Sequence, residues 1–509
     1  MTKGALLYLV IVVVSAACGL AVEITAGRLI APYLGMSLYT WTAIIAVVLA
    51  GFSVGHWIGG RMAEASAERV RRRVAWALCL ACLSTAASLV LIRLVSGPVI
   101  GAGLTPVPTI LVLTSALFFL PSLFVGIPSP ALTKLAIDEN PARIGRVLGA
   151  FYAGGAVGSI AGTLLTGYVF IAWLGSIRTL LVVAALYGAM GAVLFLFRGP
   201  RLQAGSLAAS LAPPLAVVGV LSGAIALVGG SVAAFTSNCD AESDYYCIRV
   251  VDVSADAGET ARLMVLDHLG HGINLKDAPQ RLLTPYVDVQ DMLARIHSGT
   301  HSPFRSFFIG GGGYTLPRAW LAARPDADIT VAEIDPAVTE AARRHMWLLP
   351  DERLTVIDSD ARRTLRNAPA GHYDIVVGDA FHDIAVPPHL VTAEFFALVR
   401  ARLAEDGIYL MNVVDNRDRP RFALSMIEGL KPLFPHVEIW ALEPSDIRTT
   451  FVIAAVQQPT PFDRLPLRTD PAQAFVRLSE ETVAGLVATL QPFALTDDFS
   501  PVDRLIGVE

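Results

Sequence analysis

Apolar positions run almost unbroken through the first half of this chain and come in short bursts through the second. Stretches of spanning length fall near 4–24, 38–60, 74–95, 107–127, 146–171, 177–197 and 211–235. A bilayer crossing needs about 20 apolar residues, so the pattern predicts seven membrane helices. The first is not read as a removable leader, because the whole half repeats its pattern and no small-residue cleavage site ends an isolated apolar run. Near residue 245 the pattern changes. Residues 245–253 and 262–266 read as strands around a turn at Asp256-Ala-Gly258, which predicts a small β-rich subdomain before residue 300. Beyond it, strands at 306–310, 329–333, 354–357, 375–379, 408–414, 437–442 and 450–455 alternate with helices at 316–323, 336–347, 361–367, 392–404, 419–432 and 480–490. Such alternation predicts a mostly parallel, doubly wound α/β sheet covered on both faces. The expected organisation is a multi-pass α-helical membrane domain (1–235), a small β subdomain (236–300) and a Rossmann-like α/β domain with a helical tail (301–509).

Charge divides the chain at the same place. Of 509 residues, 16% are charged and 54% hydrophobic. Residues 1–235 hold 14 Lys/Arg and 5 Asp/Glu, and residues 236–509 hold 25 and 39. The second half therefore carries a net charge of −14. That disfavours nucleic acid and suits a cationic ligand. In the short loops, 11 basic residues fall on the side of the N-terminus and 3 on the other. The N-terminus is therefore expected in the cytoplasm of a cell-membrane protein. Seven spans would then put the second half on the outer face. Cys239 and Cys247, eight apart at the entrance of that half, form either a disulfide or two free thiols. In the first half, Gly149, Gly154, Gly155, Gly158, Gly162 and Gly167 predict close helix packing. Gly51 to Arg61, followed by the basic run Arg69–Arg73, resembles a loop of major-facilitator transporters, but transport is not inferred from it.

Candidate chemistry sits at successive strand ends, where open α/β sheets bind ligands. The first strand runs into Gly310-Gly311-Gly312-Gly313, whose glycines allow close backbone approach. The second ends at Glu333, twenty-three residues on, where an acid typically holds ribose hydroxyls. The third ends at Asp358-Ser-Asp360-Ala361 and the fourth at Asp379-Ala-Phe-His382-Asp383. Any one of these acids is explained by helix capping. Four in register predict a nucleoside site. No metal-ligand cluster is evident, and His345, His372 and His389 read as structural or surface residues.

These residues resemble the spermidine/spermine synthase (polyamine aminopropyltransferase) family, in its membrane-fused branch. The resemblance covers about 240–460 and includes Tyr245-Tyr246, His271-Gly272, Tyr286-x-Asp288, the Gly loop, Glu333-Ile-Asp335, Asp360-Ala361 and Asp379. It implies a small β domain before a class I methyltransferase-like domain. It also implies transfer of an aminopropyl group from decarboxylated S-adenosylmethionine to a polyamine, with release of methylthioadenosine and no metal. By position, Gly310, Gly311, Gly312, Glu333, Asp360 and Ala361 would hold the nucleoside, with Glu333 on the ribose and Asp360 on the adenine amino group. Asp379 would accept the amine proton, with Tyr286, His382 and Asp383 as further catalytic candidates. Tyr245, Tyr246, Asp288 and His271 would line the amine side.

The sequence departs from the family at the acceptor end. The family's Gly loop reads GGGDGG, with an Asp that grips the amine; Gly313 and Tyr314 stand in place of the Asp-Gly pair. The fourth strand lacks the family's D-S/T-x-D-P, a second acid being replaced by His382 or shifted to Asp383, and His271 stands for a Gln. Acids in the stretch Thr496 to Asp503 could compensate, although a helix-flanking turn explains them as well. The leading expectation is a membrane-anchored aminopropyltransferase-like enzyme using S-adenosylmethionine or its decarboxylated form. Its partners would be a nucleoside donor, a cationic amine and the lipid bilayer; association with further copies stays open. The alternatives are a lyase or cyclising enzyme needing no acceptor, and a non-catalytic nucleoside-binding sensor or scaffold. A cytoplasmic donor and an outer-face soluble domain are at odds, so the side of that domain also stays open.

Overall fold

A computed structural model describes residues 1–197, 207–299, 302–380 and 386–506. It divides into two compact units, Met1–Leu34 with Leu38–Asn238, and Cys239–Glu509 with Gly35–Ser37.

The first unit is helical: α1 (Lys3–Leu34), α2 (Leu38–Met62), α3 (Ala67–Gly101), α4 (Pro106–Gly126), α5 (Pro128–Glu139), α6 (Ile144–Leu165), α7 (Ile171–Leu196) and α8 (Leu207–Ser231). Among the described residues, five stretches are long and apolar enough to cross a bilayer. The expectation was seven. The spans expected at 146–171 and 177–197 run together as one stretch, Pro141–Leu196, of 56 residues. At ~1.5 Å per residue that is ~84 Å, far beyond a ~30 Å hydrocarbon core. The stretch is interrupted: Thr166–Phe170 is a π-helical turn, and Gly175 leaves helical backbone at φ +75°. The last expected span, 211–235, falls largely on α8, a helix of 25 residues. The gap expected between 171 and 177 brackets the break at Gly175.

Glycine lets these helices touch. A Cβ on Gly158 would lie 2.2 Å from the Val13 carbonyl oxygen, and one on Gly162 2.2 Å from that of Ala17, so α6 rests directly on the α1 backbone. The Gly51-x₃-Gly55-x₃-Gly59 row does the same for α2 along α4, with a Cβ on Gly55 2.2 Å from the Leu123 carbonyl oxygen. The transporter-like glycines are thus a packing seam. Gly149, Gly155 and Gly167 face open space. Gly158→Leu should therefore drive α1 and α6 apart and cost at least about 3 kcal/mol, whereas Gly149→Leu should be silent. Thermal denaturation in detergent checks both.

The second unit begins with a disulfide, Cys239–Cys247, with 5.2 Å between the Cα atoms. This bond needs an oxidising environment to form. It closes the hairpin of β1 (Ala241–Glu242) and β2 (Cys247–Asp252). After the short α9 (Ser254–Ala257), β3 (Ala261–Leu266) and β4 (Leu269–Leu275) complete a four-stranded antiparallel sheet. The fourth strand and the following helix α10 (Pro285–Ser298) had no counterpart in the sequence reading.

The large sheet then follows: β5 (Phe304–Ile309), α11 (Thr315–Ala323), β6 (Ala327–Glu333), α12 (Pro336–His345), β7 (Leu354–Asp358), α13 (Ala361–Asn367), β8 (Tyr373–Gly378), α14 (Ala393–Arg402), β9 (Leu403–Asn416), α15 (Arg421–Leu430), β10 (His436–Glu443), β11 (Arg448–Val456), β12 (Arg464–Pro466), β13 (Ala474–Arg477), α16 (Glu480–Leu490) and α17 (Val502–Leu505). Its order is β12-β13-β10-β11-β9-β8-β5-β6-β7. The five strands from β9 to β7 pair in parallel, and every pairing beyond β9 is antiparallel. "Mostly parallel" thus holds for the β9-to-β7 half alone. The connection from β10 to β11 spans only residues 444–447, too short for a crossover helix, so it forces an antiparallel hairpin. This is a class I methyltransferase-like α/β sheet. Alternate strand residues fill two cores, one on each face. Phe308, Val377 and Leu410 belong to one, and Phe307, Val376, Tyr409 and Met411 to the other.

Candidate active site

The chain moves outward from β5 to β6 to β7, then returns to lay β8 on the other side of β5. That reversal opens a crevice at the carboxyl ends of β5 and β8. Backbone bonds fix its rim. The Gly310 amide donates to Ala332 O at 2.9 Å, and the Asp379 amide to Ile309 O at 3.0 Å. Gly310 sits at φ +89°, and a Cβ there would lie 2.8 Å from Asp379 O, so only glycine fits. Tyr314, at the departure from the family loop, is not in the crevice. It is fully buried, with its hydroxyl 2.7 Å from Thr339 Oγ1 and its ring in the space a Cβ on Gly311 would need.

Glu333, 5% exposed, accepts from the Gly311 amide at 2.7 Å and the Asp335 amide at 2.9 Å. Burial pushes its carboxyl up, and those two amides oppose the rise. Asp360 caps α13 by accepting from the Arg363 amide at 2.9 Å, and its other oxygen lies 2.7 Å from His389 Nε2. Burial raises Asp360, but bonds to His389 and the Arg363 amide outweigh it and hold the carboxyl below its usual range. His389, expected to be incidental, therefore belongs to the site.

Asp379 follows the last residue of β8. Tyr286 on α10 donates its hydroxyl to Oδ2 at 3.1 Å, and Asn412 on β9 donates Nδ2 to Oδ1 at 2.9 Å. Burial pushes the Asp379 carboxyl up to about 7; the Tyr286 bond opposes this and the charge of Glu333 adds to it. Such a group exchanges a proton near neutrality. Tyr286 itself is raised well above the ordinary phenol range by burial, so it stays a donor.

A cavity of about 190 Å³ joins these residues: Tyr245, Tyr246, His271, Gly310, Gly312, Glu333, Asp360, Ala361, Asp379 and His389 all line it. Gly311 lines a smaller lobe with His271, Gln290, Thr315 and Asp379. One expected residue is elsewhere. Asp288 is 1% exposed and does not line either space; it accepts from the Arg468 amide at 2.9 Å and from Arg468 Nε at 2.6 Å. Its carboxylate is already spent on that arginine. His382 and Asp383 lie outside the described residues. The C-terminal acid Asp497 holds Arg362 at 2.7 and 2.6 Å and Thr392 at 2.8 Å, so it restores no lost carboxylate to the cavity. Among the described residues no group of three or more His, Cys, Asp or Glu is placed to hold a metal ion.

Sequence reasoning missed Asn412, Gln290 and the role of His389. Gln290 had one signal, lying four residues after Tyr286 and hence on the same face of a helix. Asn412 had none, because strand β9 meets β8 only through the fold.

Residues 288–440 match the family model described as the spermine/spermidine synthase domain. A polyamine aminopropyltransferase of Vibrio vulnificus is 32% identical over 112 residues, which are 22% of this chain and 38% of that protein. The chain thus spans well under half of this relative. A polyamine aminopropyltransferase of Corynebacterium efficiens is 27% identical over 434 residues, 79% of this chain and 76% of that protein. So long an alignment reaches into the helical unit. Among solved structures, a probable spermidine synthase from Corynebacterium glutamicum covers 52% of this chain and 99% of its own, at 20% identity and a TM-score of 0.45. Residues 288–440 of this chain are thus similar to the spermine/spermidine synthase domain.

Proposed function

We propose that this chain is an aminopropyltransferase-type enzyme anchored in a membrane by its helical unit. It would bind a sulfonium nucleoside, S-adenosylmethionine or its decarboxylated form, and transfer the alkyl tail to an amine with release of methylthioadenosine. The observation that carries this reading is Asp379: a carboxyl pushed up to about 7, held by Tyr286 and Asn412, in one cavity with Glu333 and Asp360. Glu333 presents an acceptor for the ribose diol and Asp360, backed by His389, one for the adenine amino group. Tyr245, Tyr246 and His271 line the side open to the amine.

Displacement at carbon asks for alignment and a proton acceptor. Asp379 receives the proton that the amine nitrogen sheds as its new bond to carbon forms and the carbon–sulfur bond breaks. The tail leaves a neutral thioether behind, so no acid is needed on the leaving side. The five long apolar stretches and the excess of basic residues on the N-terminal side support anchorage with the N-terminus in the cytoplasm.

The test incubates the full chain in detergent with either donor, with and without putrescine and spermidine, and follows products by mass spectrometry. Acceptor-dependent alkylated amine supports the transferase. Methylthioadenosine formed without acceptor replaces it by the lyase, and no turnover of either donor leaves the sensor. Glu333→Gln should weaken methylthioadenosine binding by roughly 10- to 100-fold, the worth of one charged hydrogen bond. Calorimetry with the unreactive product measures this without turnover.

A further inference from the structure

The cavity wall beside Asp360 is tied to a segment far along the chain. Pro387, His389 and Leu390 line the cavity. His389 meets Asp360 Oδ2 through Nε2 at 2.7 Å, while the Arg363 amide takes Oδ1. A carboxylate oxygen accepts two bonds, so Asp360 is not exhausted as an acceptor. Residues 495–497 hold the stretch that follows His389. Leu495 O accepts from the Ala393 amide at 2.8 Å, Glu394 Oε2 from the Asp497 amide at 3.0 Å, and Asp497 Oδ1 from Thr392 Oγ1 at 2.8 Å. Arg362 joins the two sides. Its Nη1 and Nη2 hold the two Asp497 oxygens at 2.7 and 2.6 Å, and Nη1 also donates to the His389 carbonyl oxygen at 3.1 Å.

A guanidinium bound to both oxygens of a carboxylate is the geometry in which a part-exposed ion pair carries weight. Arg362 holds the Asp497 carboxyl down to about 2, so the pair is charged throughout the neutral range. The pair also decides where Arg362 does not go. Besides Asp497, the carboxylates whose charge acts on Arg362 are Glu394 and Asp360. Glu394 already accepts from the Asp497 amide. A guanidinium released by Asp497 would therefore have Asp360 as its remaining target and would let go of the His389 carbonyl. Either change alters the carboxylate that the base would meet. An amino group at position 6 of a purine donates, whereas an oxygen there accepts, and only the donor suits an ionised carboxylate.

We propose that Asp497 is a positioning residue for base recognition: acting through Arg362, it keeps His389 on Asp360 and leaves Asp360 open to a 6-aminopurine. This rests on the nucleoside reading above and deepens it, because selection of the base then depends on a side chain that does not itself line the cavity.

Calorimetry on the full chain in detergent tests this with two ligands, methylthioadenosine and methylthioinosine, which differ in carrying an amino group or an oxygen at position 6. The unmodified protein should prefer methylthioadenosine by on the order of tenfold or more, the worth of one charged hydrogen bond. Asp497→Asn should bring the two affinities within a few-fold of each other. Glu333→Gln, on the ribose side, should weaken both ligands alike and keep the preference. Arg362→Gln removes the same link from its other end, should also erase the preference, and decides the matter should Asp497→Asn not fold. A variant that loses thermal stability but keeps the preference makes the Asp497 contact purely structural and overturns the inference. Equal affinities in the unmodified protein overturn it too, while leaving the nucleoside reading intact. Failure of methylthioadenosine to bind overturns both.

Discussion

Asp379→Asn should abolish alkyl transfer, lowering turnover by on the order of 10³-fold, while methylthioadenosine binding stays within a few-fold of the unmodified protein. The amide keeps the shape of the side chain and can still accept from Tyr286, but it cannot take a proton. A pure binder would show no such split between binding and turnover. The pH profile provides a second signature. Asp379 must be unprotonated to act as a base, and burial sets its titration at about 7. Turnover per encounter should therefore rise as pH climbs through about 7 and level above it, whereas an ordinary carboxylate would give a flat profile from about pH 5 upward.

The same shift has a stability consequence whose sign is fixed. Between the ordinary carboxyl value near 4 and about 7, the folded state keeps a proton that the unfolded state has released. Folding stability should then fall with rising pH across that window and flatten above it. Asp379→Asn should remove the slope and be more stable than the parent at pH 8. Fluorescence of the buried Trp320 and Trp440 during unfolding follows this directly.

The second large effect is expected away from the cavity. Arg468→Ala should destabilise the Cys239–Glu509 unit by about 3 kcal/mol, because it strips the cation from two buried carboxylates. Asp288 and Asp291 are each 1% exposed, and Arg468 reaches both, with its Nη2 2.8 Å from Asp291 Oδ2. Asp291 retains Arg295 at 2.8 Å and the Trp320 indole N–H at 2.8 Å, but Asp288 loses its side-chain cation. The magnitude sits at the low end for a broken buried pair, since Arg468 is 40% exposed and partly screened. Asp288→Asn should likewise lower stability and leave the relative affinities for donor and amine unchanged. A selective loss of amine affinity would restore Asp288 to the acceptor side. Denaturant unfolding and ligand titration on the same preparations separate these outcomes.

Much of the side of the candidate site proposed to take the nucleoside was legible because it is local. A strand end, a glycine turn and an acid a fixed distance on all lie within one strand–helix–strand unit, so their spacing along the chain is also their spacing in space. Gly310, Glu333, Asp360 and Asp379 accordingly meet in one cavity. Asp360 also fulfils the capping role that any strand-end acid might have, since one oxygen caps α13 while the other meets His389. The acceptor half was less legible. Asp288 and Arg468 are 180 positions apart, and no pattern near Asp288 reveals that its charge is already taken. Asn412 reaches Asp379 only because β9 pairs with β8.

By itself, then, the sequence determined an apolar helical half, an acidic α/β half, and the succession of strand-end residues that reads as a nucleoside site. These follow from periodicity, composition and short-range spacing, which act within a few residues. Tertiary structure decided that Cys239 and Cys247 pair, that the outer sheet runs antiparallel, and which carboxylates face the cavity and which are spent on arginines. Each of those depends on contacts between residues distant in the chain. Burial and charge pairing there are set by neighbours that only folding brings together.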